Sequence, residues 1–138
     1  ETNTRFGWSV AVSDGTVVVG VPWAGSVYVF SCTAAGVCAE TDVLRAADEA
    51  VNDNFGVSVA ISCNKIVVGA SFYYNQGQNP GSVYTFSRQL SGIWAQTSKI
   101  VPTNGWAGDG FGYMVAISTH TVAAVDSHES AYVKEVCF

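Results

Sequence analysis

The dipeptide Phe-Gly occurs three times in these 138 residues, and the residues after it recur in register. Phe6-Gly7 opens Phe-Gly-Trp-Ser-Val-Ala-Val-Ser, Phe55-Gly56 opens Phe-Gly-Val-Ser-Val-Ala-Ile-Ser, and Phe111-Gly112 opens Phe-Gly-Tyr-Met-Val-Ala-Ile-Ser. A repeat of about 50 residues is one supersecondary unit used several times, and such a unit cannot bury its own faces alone. Any fold for this chain must therefore stack its copies against one another.

Within each copy the apolar pattern is that of short strands rich in Val, Ile, Tyr and Phe. The first strand runs over 8–13, 57–62 and 113–118, and a two-residue link comes next: Asp14-Gly15, Cys63-Asn64 or Thr119-His120. Tight hairpins want positive φ in that link, which Gly, Asn and His tolerate, so His120 reads as a turn residue. The second strand covers 16–19, 65–68 and 121–124. It ends in Gly20-Val21-Pro22 in copy one, Gly69-Ala70-Ser71 in copy two and Val125-Asp126-Ser127 in copy three. The third strand covers 26–30, 82–86 and 130–133. A fourth, 39–44 and 95–100, exists only in the first two copies. The period changes from 49 to 56 residues, and the difference falls in one loop, 71–80. Eleven antiparallel strands with hairpin links and no helical period make the chain all-β.

Four-stranded units that begin Phe-Gly-x-Ser-Val-Ala and reach Gly-Ala-Pro 13 residues later resemble FG-GAP repeats, the blades of integrin-α-type β-propellers and of many secreted proteins. The resemblance spans Phe6 to about Val133. It implies one repeat domain over 1–138, an incomplete β-propeller: blade 1 about 6–46, blade 2 about 55–101, and a partial blade 3 about 111–138 that lacks its outer strand. By the same likeness, strands such as Trp8–Val12 line the propeller axis and strands such as Ala39–Leu44 form the rim. Integrin-type blades often carry an Asp-rich calcium loop between the first two strands. Here that link is two residues long, and one carboxylate at Asp14 cannot supply the six to eight oxygens calcium takes. No metal and no cofactor are expected, and Asp53 and Asp109 read as turn formers.

Propellers close with about four to eight blades. A chain with fewer than three leaves the outer faces of blades 1 and 3 uncovered and the backbone edge at Ser130, Ala131, Tyr132, Val133 and Val136 unpaired, a template for another chain. Only 12% of the residues are charged, against a usual ~25%, so little guards those surfaces. Three outcomes are open: a head-to-tail filament, a closed ring such as two chains making six blades, or a piece of a longer protein. The leading expectation is a non-enzymatic, secreted structural protein that assembles with itself into a filament. The alternative is an adhesive or lectin-like module that binds a glycan or an extracellular protein.

Glycan recognition rests on Phe72, Tyr73, Tyr74, Asn75 and Gln76 in the long loop, with Trp23 and Trp106, because rings stack on sugar faces and amides bond hydroxyls. Packing of these aromatics onto their own blades is the plainer reading. Net charge of −5 argues against nucleic acid or an anionic membrane as partner. No apolar stretch approaches the ~18 residues of a spanning helix. Glu1-Thr2-Asn3-Thr4 reads like the start of a mature, processed chain. Ser127, His128 and Glu129 are sequence neighbours, which does not make a triad.

The four cysteines, Cys32, Cys38, Cys63 and Cys137, suit disulfides in an oxidising compartment. Cys32 and Cys38 bracket a short turn and are expected to bond locally. Cys63 and Cys137 fall on one face of adjacent blades, so a bond within the chain, slightly favoured, and one between two chains both stay open.

Overall fold

The computed structural model describes residues 4–48, 54–71, 80–103, 109–127 and 131–135. Within them the chain is an incomplete propeller of three antiparallel sheets. Blade 1 has β1 (Ser9–Ser13), β2 (Thr16–Val21), β3 (Ser26–Cys32) and β4 (Cys38–Leu44). Blade 2 has β5 (Phe55–Ser62), β6 (Lys65–Ala70), β7 (Ser82–Arg88) and β8 (Trp94–Ile100). Blade 3 has β9 (Met114–Ile117), β10 (Thr121–Val125) and β11 (Ala131–Glu135). Each sheet runs in chain order. The second strands outrun the lengths read from sequence, β2 and β6 by two residues, because they keep pairing to Val21 and Ala70 beneath the next blade, whereas β1 and β9 fall short of the expected 8–13 and 113–118. The strand pattern gave no sign of a short 3-10 turn at Pro22–Ala24; Gly25 closes it in the left-handed conformation.

The links between first and second strands are tight, with one correction. Asp14 and Gly15 take positive φ (48° and 75°), and in blade 2 Cys63 does so (φ 52°). Neither Thr119 nor His120 is left-handed; that link closes on the Ser118 amide bonding the Thr121 carbonyl at 2.9 Å. His120 is thus a link residue that needs no positive φ.

Middle strands are buried on both sides, which is why β6 reads Lys-Ile-Val-Val-Gly-Ala without alternation. Blade 1 gives Val18, Val27, Val29 and Leu44 to a core completed by Phe55, Val59, Ile66, Val68, Tyr84, Phe86 and Trp94 of blade 2. The second core sets Val67, Val83 and Ile100 of blade 2 against Phe111, Val122 and Ala124 of blade 3. The rim strand β4 is exposed along most of its length. Both complete blades carry an irregular register at the same place, Val29/Phe30 and Thr85/Phe86, a bulge that steepens the twist toward the rim.

Candidate functional site

Two of the three Phe-Gly corners, Phe55-Gly56 and Phe111-Gly112, are the joints between blades; Phe6-Gly7 has the same shape but no blade against it. At each, the glycine is left-handed, with φ of 83° at Gly7, 95° at Gly56 and 89° at Gly112. It is the third residue of a backbone turn closed by the amide of Trp8 on the Arg5 carbonyl, Val57 on Asn54 and Tyr113 on Gly110. The corner of one blade then seats in a socket on the blade before it. The Gly56 carbonyl accepts a hydrogen bond from Ser9 Oγ at 2.8 Å, and the Gly112 carbonyl accepts one from Ser58 Oγ at 2.7 Å. The socket floor is glycine. A Cβ on Gly20 would stand 2.0 Å from the Gly56 oxygen, and one on Gly69 would stand 1.9 Å from the Gly112 oxygen. Sequence reasoning saw the recurring Ser and Gly but not their joint role. The signal was present: Ser9 with Gly20 and Ser58 with Gly69 recur together, and both change in copy three.

Each corner phenylalanine lies edge-on to a third-strand tyrosine: Phe6 to Tyr28 and Phe55 to Tyr84 at 5.4 Å, Phe111 to Tyr132 at 5.7 Å. The environments differ. Phe55 and Phe111 are 1% and 3% exposed; Phe6 is 58% exposed. Around Phe6, Val10 and Val12 are 66% and 70% exposed, although their counterparts Val59 and Ile61 belong to the blade 1–blade 2 core. Cross-strand register places Val10 with Val19 and Tyr28, and Val12 with Val17 and Phe30, on one apolar outer face of blade 1.

At the other end, register places Met114, Ala116, Ala123, Val125, Ala131 and Val133 on the outer face of blade 3. Among the described residues no strand pairs with the far edge of β11. Of the expected edge residues, Ala131 and Val133 are exposed, whereas the Tyr132 ring turns inward onto Phe111. Ser130 and Val136 lie outside the described residues. Lys134 is exposed on this strand, a charge of the kind that discourages unwanted edge pairing.

Cys32 and Cys38 form a disulfide across the β3–β4 turn, facing each other in register. Cys63 is an exposed thiol on the tight, left-handed link, and its pairing with Cys137, within the chain or between two chains, falls outside the described residues. Cys137 lies outside the described residues, as do Asp53, Phe72, Tyr73, Tyr74, Asn75, Gln76, Trp106 and His128. Asp109 ties distant segments together, its backbone carbonyl accepting bonds from the Ser127 amide and hydroxyl at 2.8 and 2.7 Å.

Among the described residues, cavities open near the corners. The first strands converge on one of about 420 Å3, lined by Trp8–Val10, Val57–Val59 and Tyr113–Val115, on the side where the propeller axis was expected. Beside it is a second of about 310 Å3, bordered by Arg5, Trp8, Trp23, Asn54, Ser71 and Tyr113. Trp23 is exposed, but it does not stand alone. The Arg5 guanidinium lies 3.8 Å from the Trp23 ring centroid and 4.8 Å from that of Trp8. Arg5 and Trp8 were missed in sequence because 18 residues separate Arg5 from Trp23 and no spacing links them. Ser71 Oγ is buried and has no hydrogen-bond partner. Among the described residues, no group of three or more His, Cys, Asp or Glu could share a metal ion, and no helix is long and apolar enough to cross a membrane.

One solved structure, that of the computationally designed Ika4 protein, is similar at 12% identity and a TM-score of 0.44, over 99% of this chain and 94% of that one. No curated protein matches. The FG-GAP repeat family model matches residues 39–86 and 94–133. With Phe-Gly corners seated on glycine sockets in consecutive antiparallel blades, the chain belongs to the FG-GAP repeat family.

Proposed function

We propose that this chain is a non-enzymatic, extracellular structural protein that assembles with itself into a filament through the outer faces of blades 1 and 3 and the open edge of β11. One observation carries the reading. Phe6, Val10 and Val12 sit where their counterparts in blade 2 are packed into a blade–blade core, yet here they face water. Contiguous exposed apolar surface of this kind marks an interaction site. The Cys32–Cys38 disulfide supports an oxidising, extracellular setting. The test is sizing and electron microscopy of the purified chain over a concentration series. Long particles that grow with concentration are expected; a monodisperse monomer at every concentration overturns the reading.

A second reading has its own observation. Trp23, Trp8, Asn54 and Arg5 surround a cavity within the size range of small-ligand sites, a set suited to stacking on a sugar ring and bonding its hydroxyls. A glycan array probed with the chain and with Trp23→Ala would support it if binding is seen and lost in the variant. Absence of binding overturns it.

A further inference from the structure

The outer face of blade 3 departs from the other two sockets at the two positions that do the seating. Where blades 1 and 2 carry Ser9 and Ser58, blade 3 carries Met114; where they carry Gly20 and Gly69, it carries Val125. The two are cross-strand partners, Val125 opposite Met114, so they fill one spot together. In the occupied sockets even a single Cβ on the glycine would lie 2.0 or 1.9 Å from the incoming carbonyl oxygen. Those contacts are with backbone, which cannot swing aside as a side chain can. Valine adds two methyl groups beyond that Cβ. Methionine removes the hydroxyl that donates to the same oxygen at 2.8 and 2.7 Å in the seated joints, and a carbonyl buried without its donor is costly.

From this we infer that Met114 and Val125 block ring closure. Two chains of three blades could close a propeller only if Phe6-Gly7 of each copy seated on blade 3 of the other as the internal corners do. The corner is ready, since Gly7 is left-handed and a Cβ there would meet nothing within 4 Å. The socket is filled. A joint between the two outer faces must therefore differ in rotation from the internal step, and head-to-tail contacts whose rotation does not close run on as open helical arrays. The rest of the face stays apolar and becomes flatter: Ala123 stands where Val18 and Val67 are, and Ala131 where Val27 and Val83 are. This inference rests on the assembly reading under Proposed function and names the residues that decide its geometry.

The double variant Met114→Ser/Val125→Gly restores both halves of the socket. It is expected to convert the chain into a discrete two-chain particle by light scattering and microscopy. Adding Phe6→Ala should disperse that particle. Wild-type chains that already form closed two-chain rings would overturn the block, and so would a double variant with the size distribution of the wild type. The two ideas fail separately. A monomeric wild type beside a dimeric double variant ends the filament reading and keeps the block; identical filaments from both do the reverse. The converse variant Ser58→Met/Gly69→Val puts the block inside the chain and needs no new contact. It should undock blade 3, seen as at least tenfold faster amide exchange across 111–125 with blade 1 unchanged. Unchanged protection there overturns the inference, including the case in which the double variant does not fold.

Discussion

Phe6, Phe55 and Phe111 occupy the same corner of the same repeat, and only their cover differs. Phe55 is fully buried among Tyr84, Phe86 and blade 1, with ring contacts at 5.4 and 6.1 Å. Phe55→Ala should cost about 3–5 kcal/mol, the range for truncating a buried aromatic. Phe6→Ala, measured at concentrations where the chain is dispersed, should stay within ~0.5 kcal/mol. Urea unfolding of the two variants reads the difference directly. Gly69→Ala adds one methyl group against the Gly112 carbonyl, and overpacking of this kind costs about 1–3 kcal/mol. The phenylalanines and glycines were legible because they recur in register. The hydrogen bond from Ser9 was not, since a serine in a strand looks the same whether it faces solvent or donates to the next blade. Cys63 was legible as a link residue on one face of blade 2, and the structure places it there as an exposed thiol.

The elements are tied by a cluster where the chain leaves blade 1. Tyr84 Oη donates to Asp48 Oδ1 at 2.9 Å, Lys99 pairs with Asp48, and the Lys99 ammonium lies 5.4 Å from the centre of the Tyr84 ring. Burial, then its bond to Asp48, pushes the Tyr84 phenol up to about 12. The Lys99 bond holds Asp48 below the ordinary carboxylate range, and the Asp48 bond raises Lys99. The signs follow from linkage. Tyr84 and Lys99 titrate higher folded than unfolded, so their contribution is whole below about pH 10 and is lost as pH rises toward 12. Asp48 titrates lower folded, so its share is present above about pH 4 and fades as pH falls further. Thermal melts should therefore drop between about pH 10 and 12, and Tyr84→Phe should shrink that drop. The strands themselves were legible from their short Val-, Ile-, Tyr- and Phe-rich runs and from hairpin spacing. Their last residues were not, because ladder bonds continue under a neighbouring blade where no pattern change marks the end. The Asp48 cluster was also invisible, with its members 36 and 51 residues apart.

For the whole molecule, a filament built on apolar faces should respond to salt in one direction only. Sulfate, which strengthens effective burial, should lower the concentration at which particles form, while moderate sodium chloride should leave it nearly unchanged. Val12→Lys on blade 1 and Val133→Lys on blade 3, both at exposed positions, should each raise that concentration about tenfold or more, equal to ~1.4 kcal/mol per joint. Neither should lower the melting temperature of the dispersed chain, and pelleting assays with parallel melts check both. Blade number and the missing outer strand were legible in the repeat count. What each end can accept was legible only in part, since copy three's departures acquire meaning from the 2.0 and 1.9 Å approaches at the two occupied sockets.

The ring pair at Phe6 and Tyr28 has an interplanar angle of 65°, close to the 70° of Phe55 and Tyr84 inside the core. The chain by itself already holds the two rings in that arrangement. A binding partner normally has to freeze such side chains at about 0.5–1.5 kcal/mol each. Where the pair keeps this geometry before contact, part of that expense falls in folding, and recognition at this end should turn on fit more than on ordering.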